Sequence, residues 1–567
     1  MSRKVAIIII LTMVFLFVLA SVLFYNFIGT NKVRVNKNSY LVLPISGSIK
    51  EYSTKKPFLK NNPQLTIWGI YNAVRRAKYD NRINGIILKL STPVIGMGKI
   101  DEIMDILKDF KTSGKKIYAY LEYGSMKDYY MATIADKIFM IPTGTLILNG
   151  YSFEVMFYKG LLEKLGIKAN LLHIGKYKTY SNIFTKDKMT PAHKEFMQDI
   201  LKQYIDRYLT VVSKNRGLNR EDVSRLIDHG LFTSKQALDY RLIDKIGYFD
   251  ELKSDINKHS SKLIIKNKIS LINYFDYSKN YSVRKDYNNV AIIFAMGQIQ
   301  GGESGHNPLF GETMGSYTII RSIRKAKKDR SIKAIILRIN SPGGSGVASD
   351  KILRELILAS KQKPVIVSMS DLAASGGYWI SMAAKEIIAQ PLTLTGSIGV
   401  VAGKFSLKGL YKKLGLTIDR VEYGKYARIF SSSDDFTEEE KQLLFNNITT
   451  FYNNFLKVVA KGRKMKVSDV DAIGRGRVWT GDSALKLKLV DKIGGLSTAI
   501  KEVKRITKLK NLGIITYPKK RSFLSEFGIT SDIISKFTKL NKIKTLFPYK
   551  NYEPLTIMDF IPVLSDN

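Results

Sequence analysis

Residues 334–345 read Ala334-Ile335-Ile336-Leu337-Arg338-Ile339-Asn340-Ser341-Pro342-Gly343-Gly344-Ser345, and 249 positions earlier the chain reads Gly85-Ile86-Ile87-Leu88-Lys89-Leu90-Ser91-Thr92-Pro93-Val94-Ile95-Gly96. Each is a short apolar run of buried-strand type that ends in a proline turn. The register continues without a gap: Pro142 falls on Pro391, Gly160 on Gly409, Gly166 on Gly415, and Gly175-Lys176-Tyr177 on Gly424-Lys425-Tyr426. A repeat this long in a chain of 567 residues with 45% hydrophobic content gives two domains as the natural count.

Working outward, both copies open with an apolar run and a glycine turn, Leu41-Val42-Leu43-Pro44-Ile45 before Gly47 and Ala291-Ile292-Ile293-Phe294-Ala295 before Gly297. A helix-period segment follows, ending at Arg76–Asp80 in one copy and Lys325–Asp329 in the other, and then the strand quoted first. Strands alternating with helices predict crossover units and a largely parallel sheet in each copy. Thr190-Pro191 and Thr437 with Glu440 read as helix starts, a proline at the first position and a capping box. The acidic run Asp434-Asp435 with Glu438, Glu439 and Glu440 therefore reads as a helix N-terminus rather than a metal cluster. Matching turns at Leu242–Gly247 and Leu489–Gly494 close the copies. The boundaries are 1–28, 39–285 for the first repeat, 286–510 for the second, and a basic tail over 511–567.

Val5 to Ile28 is an apolar run without charge, preceded by Arg3 and Lys4. Its 24 residues suffice to cross a ~30 Å hydrocarbon layer as a helix. It continues through Val22-Leu23-Phe24-Tyr25 past the small residues Ala20-Ser21, so an uncleaved membrane anchor is expected rather than a signal peptide. Basic residues flank both ends and leave the orientation open. The net charge of +41, from 90 Lys and Arg against 49 Asp and Glu, spreads through the whole chain. No nucleic-acid motif gives it form, and work beside an anionic membrane suits it better. Zero cysteine excludes disulfides and thiolate catalysis, and nothing in the chain calls for a metal or another cofactor.

The copies differ where chemistry would sit. Ser375, in Ala373-Ala374-Ser375-Gly376-Gly377, faces Met126; Lys178 faces Ala427; Ser397, in Thr395-Gly396-Ser397-Ile398-Gly399, faces Leu148; Gly343 and Gly344 face Val94 and Ile95. A serine hydroxyl needs a base before it attacks. None of the five histidines (His173, His193, His229, His259 and His306) lies in a matched motif of the second copy. A lysine kept neutral by burial can do the same work, so Lys178 is expected to be the base for Ser375. Arg428, next to the vacant position in copy two, stays protonated and cannot. The loop after the strand offers glycine N–H groups for an oxyanion, and the Ser397 hydroxyl can orient the amine. Lys176 and Lys425 occur in both copies, which fits a structural role.

Together the Asn340–Ser345 loop, Ala373–Trp379, Thr395–Gly399 and Gly175-Lys176-Tyr177-Lys178 resemble the long, two-repeat form of the signal peptide peptidase A (protease IV) family. The resemblance covers roughly residues 5 to 510. It implies an α/β fold of tandem Clp protease/crotonase-like repeats behind an N-terminal transmembrane helix. It also implies a Ser-Lys dyad of Ser375 and Lys178, with Ser397 orienting the lysine and Gly343, Gly344 and Gly376 as backbone candidates for the oxyanion hole. Signal-peptide remnants and other apolar peptides would be the substrates. A homotetramer on the outer, extracytoplasmic face of the cytoplasmic membrane would be the working form. Thr179-Tyr180-Ser181-Asn182-Ile183-Phe184 departs from the small and acidic residues expected of the family there. Two other readings stand beside the peptidase, a crotonase-like acyl-CoA enzyme and a non-catalytic membrane assembly protein.

Overall fold

In a computed structural model the two apolar runs that define the repeat become central strands of two separate sheets. The structure describes residues 34–53, 64–259, 269–279, 289–307, 311–519 and 555–557, with isolated positions 5, 12, 13 and 16. The first copy supplies β1 (Ser39–Ser48), β2 (Ile83–Val94), β3 (Lys116–Gly124), β4 (Lys137–Leu148), β5 (Lys168–Ile174), β6 (Gly230–Thr233), β7 (Lys245–Ile246) and β8 (Ser270–Asn273). Its sheet runs β6-β4-β3-β2-β1-β8 and is parallel except for β6, as the alternation of strands and helices predicts.

The second copy supplies β9 (Val290–Met296), β10 (Gln298–Gln300), β11 (Gly305–Asn307), β12 (Gly311–Gly315), β13 (Ala334–Ser341), β14 (Gly343–Ser345), β15 (Val365–Ala374), β16 (Glu386–Ala389), β17 (Leu394–Gly396), β18 (Val400–Ser406), β19 (Val478–Thr480) and β20 (Lys492–Ile493). Two strands come from the C-terminal region, β21 (Ile514–Tyr517) and β22 (Leu555–Ile557). The second sheet runs β19-β17-β15-β13-β9-β21. Here β21, beyond the repeat boundary at 510, extends the parallel edge next to β9. A third sheet, β11-β12-β10-β14-β22-β18-β5, draws strands from both copies and from the tail.

The long helices Pro191–Arg216 and Glu438–Arg463 begin at the expected caps. Thr190 Oγ1 accepts the His193 N–H, and Thr437 forms the full capping box with Glu440. The acidic run is spent on structure: Asp434 pairs with Arg420 and Arg428, Asp435 accepts from Asn170, and Glu440 caps the helix. Among the described residues no helix is long and apolar enough to cross a membrane, and the expected anchor over 5–28 lies almost wholly outside them.

The repeats share part of their interior. A single cluster of buried apolar residues runs from Leu41, Ile86 and Ile103 of copy one to Phe294, Ile336 and Ala374 of copy two, with Tyr52 stacked on Phe294 at 4.6 Å. Beside it lies a buried charge cluster. Arg338 of β13 has no exposed surface and pairs with Glu51 (2.9 Å) and Glu102 (3.0 Å) of copy one, while Lys99 pairs with Asp371 (3.1 Å) of copy two. Burial pushes the Glu102 carboxyl above its ordinary range; burial also opposes ionisation of Glu51, but Arg338 and Lys99 override it and hold that carboxyl below. Glu102 also accepts the N–H of Leu496, the first residue of the helix Leu496–Thr507.

Removing one partner of such a cluster leaves a buried charge uncompensated, at about 3–5 kcal/mol. Arg338→Met is expected to destabilise by that order in denaturant unfolding. Lys235→Ala, which removes only an exposed helix pair with Asp239, should stay within about 0.5 kcal/mol of the parent. Equal effects of the two substitutions would show that the cluster does not join the repeats.

Candidate active site

Ser375 directly follows β15, at φ 55° and ψ −114°, and the short helix Gly376–Trp379 starts after it. A non-glycine residue at this φ is strained. The surroundings impose it: the Ser375 N–H donates to Gly396 O (2.8 Å), its carbonyl accepts from the Trp379 N–H (2.8 Å), and Gly377 packs against Ser341. Copy one has no such strain. Met126 opens an ordinary helix, Met126–Ala132, capped by a Ser125–Asp128 box with Ser125 at φ −86°. The strained turn is thus kept only where the serine is.

Ser397 follows β17 and is likewise strained, at φ 50°, with its N–H donating to Arg477 O (2.8 Å). Lys178 sits in the turn after β5, its N–H bonded to Gly175 O (3.0 Å). Strand β5 belongs to copy one but pairs antiparallel along its whole length with β18, from Ile174↔Val400 to Lys168↔Ser406. As β18 begins three residues after Ser397, this ladder carries the lysine of one repeat to the serines of the other.

The result is a closed three-residue contact. Lys178 Nζ lies 3.1 Å from Ser375 Oγ, 2.8 Å from Ser397 Oγ and 3.3 Å from Ser397 O, and all three residues have no exposed surface. These oxygens belong to uncharged groups. Lys178 Nζ is thus within hydrogen-bond reach of both serine hydroxyls and of one main-chain carbonyl. Among the described residues no histidine bonds Ser375. His173, five residues before Lys178, bonds Ser181 Oγ through Nδ1 (3.1 Å), and burial lowers its basicity. That contact uses the stretch Thr179–Phe184, whose Thr179, Ser181 and Asn182 are buried against the site.

Of the oxyanion candidates, Gly343 has φ 99° and donates its N–H to Ser341 Oγ at 3.2 Å. Gly344 has φ 149° and approaches Ile299 so closely that a Cβ would lie 2.1 Å from its carbonyl oxygen. Gly376 occupies the first position of its helix, where the N–H has no intrahelical acceptor. Gly376 is therefore better placed than Gly343 to serve an oxyanion, while Gly344 lies in the strand ladder opposite Ile299.

The model of Peptidase family S49 matches the chain twice, over residues 109–262 and 357–510. The matches start 248 residues apart, so they coincide with the repeat; the first contains Lys178, the second Ser375 and Ser397. The chain belongs to peptidase family S49. It is 34% identical to the chloroplastic serine protease SPPA of Arabidopsis thaliana over 475 residues, which is 82% of this chain and 69% of that protein. It is also 34% identical to Protease 4 of Salmonella typhi over 78% of this chain and 72% of that one, and 32% identical to Protease 4 of Haemophilus influenzae over 78% and 73%. Of the three readings open from the sequence, this family supports the serine endopeptidase.

One part of this S49 site escaped the sequence reading, the loop Gly474-Arg475-Gly476-Arg477. Tyr177 N–H bonds Arg475 O (2.8 Å), Gly476 N–H bonds Ile398 O (2.7 Å), and Arg477 lies over the rings of Tyr177 and Trp479 while pairing with Glu195 (2.8 Å). Gly476, at φ 83°, touches the Lys178 backbone, and a Cβ there would lie 2.4–2.6 Å from Lys178 atoms. The signal was available: aligned on the closing turns, Gly476 faces His229 of copy one.

Ser397→Ala removes the 2.8 Å bond to the amine. It is expected to lower kcat roughly 10- to 100-fold with little change in KM, since a bond of this kind is worth about 1.5–3 kcal/mol. Gly476→Ala should displace Lys178 and cost at least as much, while circular dichroism stays native. Unaltered kinetics in both variants would remove these residues from the site.

Proposed function

We propose that this protein is a membrane-anchored Ser-Lys endopeptidase that degrades cleaved signal peptides and other apolar peptides. The carrying observation is the 3.1 Å approach of Lys178, from one repeat, to Ser375, from the other, in a site without solvent exposure. Burial removes the solvation that holds an ammonium charged, so the amine is available as a base. Ser375 Oγ attacks the peptide carbonyl while its proton passes to Lys178 Nζ. The Gly376 N–H, at the start of its helix, receives the oxyanion. Lys178 then protonates the departing amine as the C–N bond breaks. Water then attacks the ester carbonyl while giving a proton to Lys178, and Lys178 passes that proton to Ser375 Oγ as the acyl C–O bond breaks.

The anchor over 5–28 would hold the catalytic repeats at the extracytoplasmic face of the cytoplasmic membrane. Repeat logic supports the homotetramer. Within the chain, 168–174 of copy one pairs with 400–406 of copy two. The equivalent segments, 417–423 of copy two and 151–157 of copy one, take no strand partner among the described residues. Residues 151–157 alternate half-buried and exposed, and Val421 and Tyr423 are fully exposed. Pairing these two edges between chains repeats the internal junction head to tail, and such a heterologous contact closes into a ring.

Two experiments test this reading. Ser375→Ala and Lys178→Met should each lower hydrolysis of an unstructured apolar peptide by 10³-fold or more with the fold intact. Near-normal activity of Lys178→Met at about pH 8, where a free lysine is still charged, would remove lysine from the dyad. The chain should resist alkaline extraction from membranes and sediment in detergent as four copies, with Val421→Pro yielding smaller species. A monomeric parent would overturn the ring.

A further inference from the structure

Arg477 touches both halves of the site, with its main chain on one and its side chain on the other. Its carbonyl accepts the N–H of Ser397 (2.8 Å), at the corner where β17 runs antiparallel to β19. Its guanidinium crosses to copy one. There it pairs with Glu195 (2.8 Å) and Asp199 of the helix Pro191–Arg216, and it lies 4.8 Å from the ring centre of Tyr177, the residue directly before Lys178. The ring of Trp479, two residues on from Arg477, meets the same guanidinium at 4.6 Å, and the Tyr177 hydroxyl donates to the same Glu195 (3.0 Å).

These groups are divided between the repeats in the same manner as the dyad. Aligned on the closing turns and on the helix caps Thr190 and Thr437, 247 positions apart, Arg477 faces Gly230, Glu195 faces Gln442 and Asp199 faces Asn446. At these positions the cation stands in the copy that carries Ser375, and the two acids stand in the copy that carries Lys178. The amides of copy two bond each other instead, Gln442 to Asn446 at 2.9 Å. Stability is a weak reason for this arrangement, because the Glu195 and Asp199 side chains are 44% and 52% exposed and exposed pairs contribute little. Direction is a stronger one. A guanidinium offers fixed in-plane donors to carboxylates and a flat face to rings, so it holds orientation as well as distance.

We propose, on the peptidase reading above, that Arg477 is a positioning residue: its clamp on Glu195, Asp199 and Tyr177 fixes Lys178 of one repeat against Ser397 and Ser375 of the other. Without the guanidinium, Tyr177 loses the group it lies against. The Arg475–Arg477 loop, whose Gly476 touches the Lys178 backbone, loses its side-chain anchor on copy one. A shift of about 1 Å in a catalytic group can cost roughly 100-fold in rate. The signature is a loss in kcat with KM little changed.

Two variants test the clamp in the full-length chain. Arg477→Ala should lower kcat for a fluorogenic apolar peptide at least about tenfold, with KM close to the parent's and native circular dichroism. Millimolar guanidinium chloride should restore part of that kcat, and sodium chloride at equal ionic strength should not. Glu195→Gln with Asp199→Asn, which leaves Arg477 and both rings in place, should show a similar loss. Adding Arg477→Ala to that pair should cost little more, because side chains acting as one unit are not additive. Parental kcat in the acid variant overturns the clamp, and this holds even if Arg477→Ala does not fold. A loss in Arg477→Ala that guanidinium leaves unrelieved and that adds fully to the acid variant's loss also overturns it. Hydrolysis that persists in Ser375→Ala would instead overturn the peptidase reading on which the clamp rests.

Discussion

The antiparallel pairing of β5 with β18 is the constraint on which the site depends. Seven consecutive residue pairs, Lys168↔Ser406 to Ile174↔Val400, tie copy one to copy two along a ladder that ends beside both functional loops. Main-chain hydrogen bonds recur at alternate pairs of such a ladder, and a slip by one residue would turn each side chain to the opposite face. Register therefore determines where the turn Gly175–Lys178 emerges, and with it the position of the amine. A lysine on a long, flexible side chain becomes a placed group because its backbone is held from both sides, by β18 below and by the Arg475–Arg477 loop around it.

The remaining contacts between the repeats protect that register. The shared apolar interior joins strands of both sheets, and the buried Arg338 cluster sets their relative position with directional bonds. Copy one's loop after β2, equivalent to the glycine loop of copy two, has been turned to this use. Gly96 and Gly98 pack within van der Waals distance of Asp371 and Ser370, just before Ser375. This loop braces the strand that leads to Ser375. Strain is distributed in the same manner: Ser375 and Ser397 hold positive φ, while Met126 and Leu148 lie in regular helix and strand.

Much of this was legible in the residues. The parallel sheets followed from alternating apolar runs, the long helices from Thr190-Pro191 and from Thr437 with Glu440, and the divided site from which copy had lost which residue. The gaps have physical causes. Gly476 reads as loop glycine because its function is steric, room for the Lys178 backbone, and that is defined only by what packs on it. Gly343 and Gly344 look alike in sequence, yet the Gly343 N–H bonds Ser341 Oγ while Gly344 lies in the ladder opposite Ile299. The tail reads only as basic composition, while three of its residues pair with strands more than 150 positions away.

By itself, then, the sequence determined which groups are candidates: two serines in one copy and one lysine in the other, because a repeat with complementary differences leaves a readable asymmetry. Tertiary structure alone decided that these groups meet at 2.8–3.1 Å and that the Gly343 N–H is taken by Ser341 Oγ. Local patterns encode elements and residue identity. The distance between residues 197 apart depends on a non-local ladder and a shared core, and these exist only once both repeats have packed.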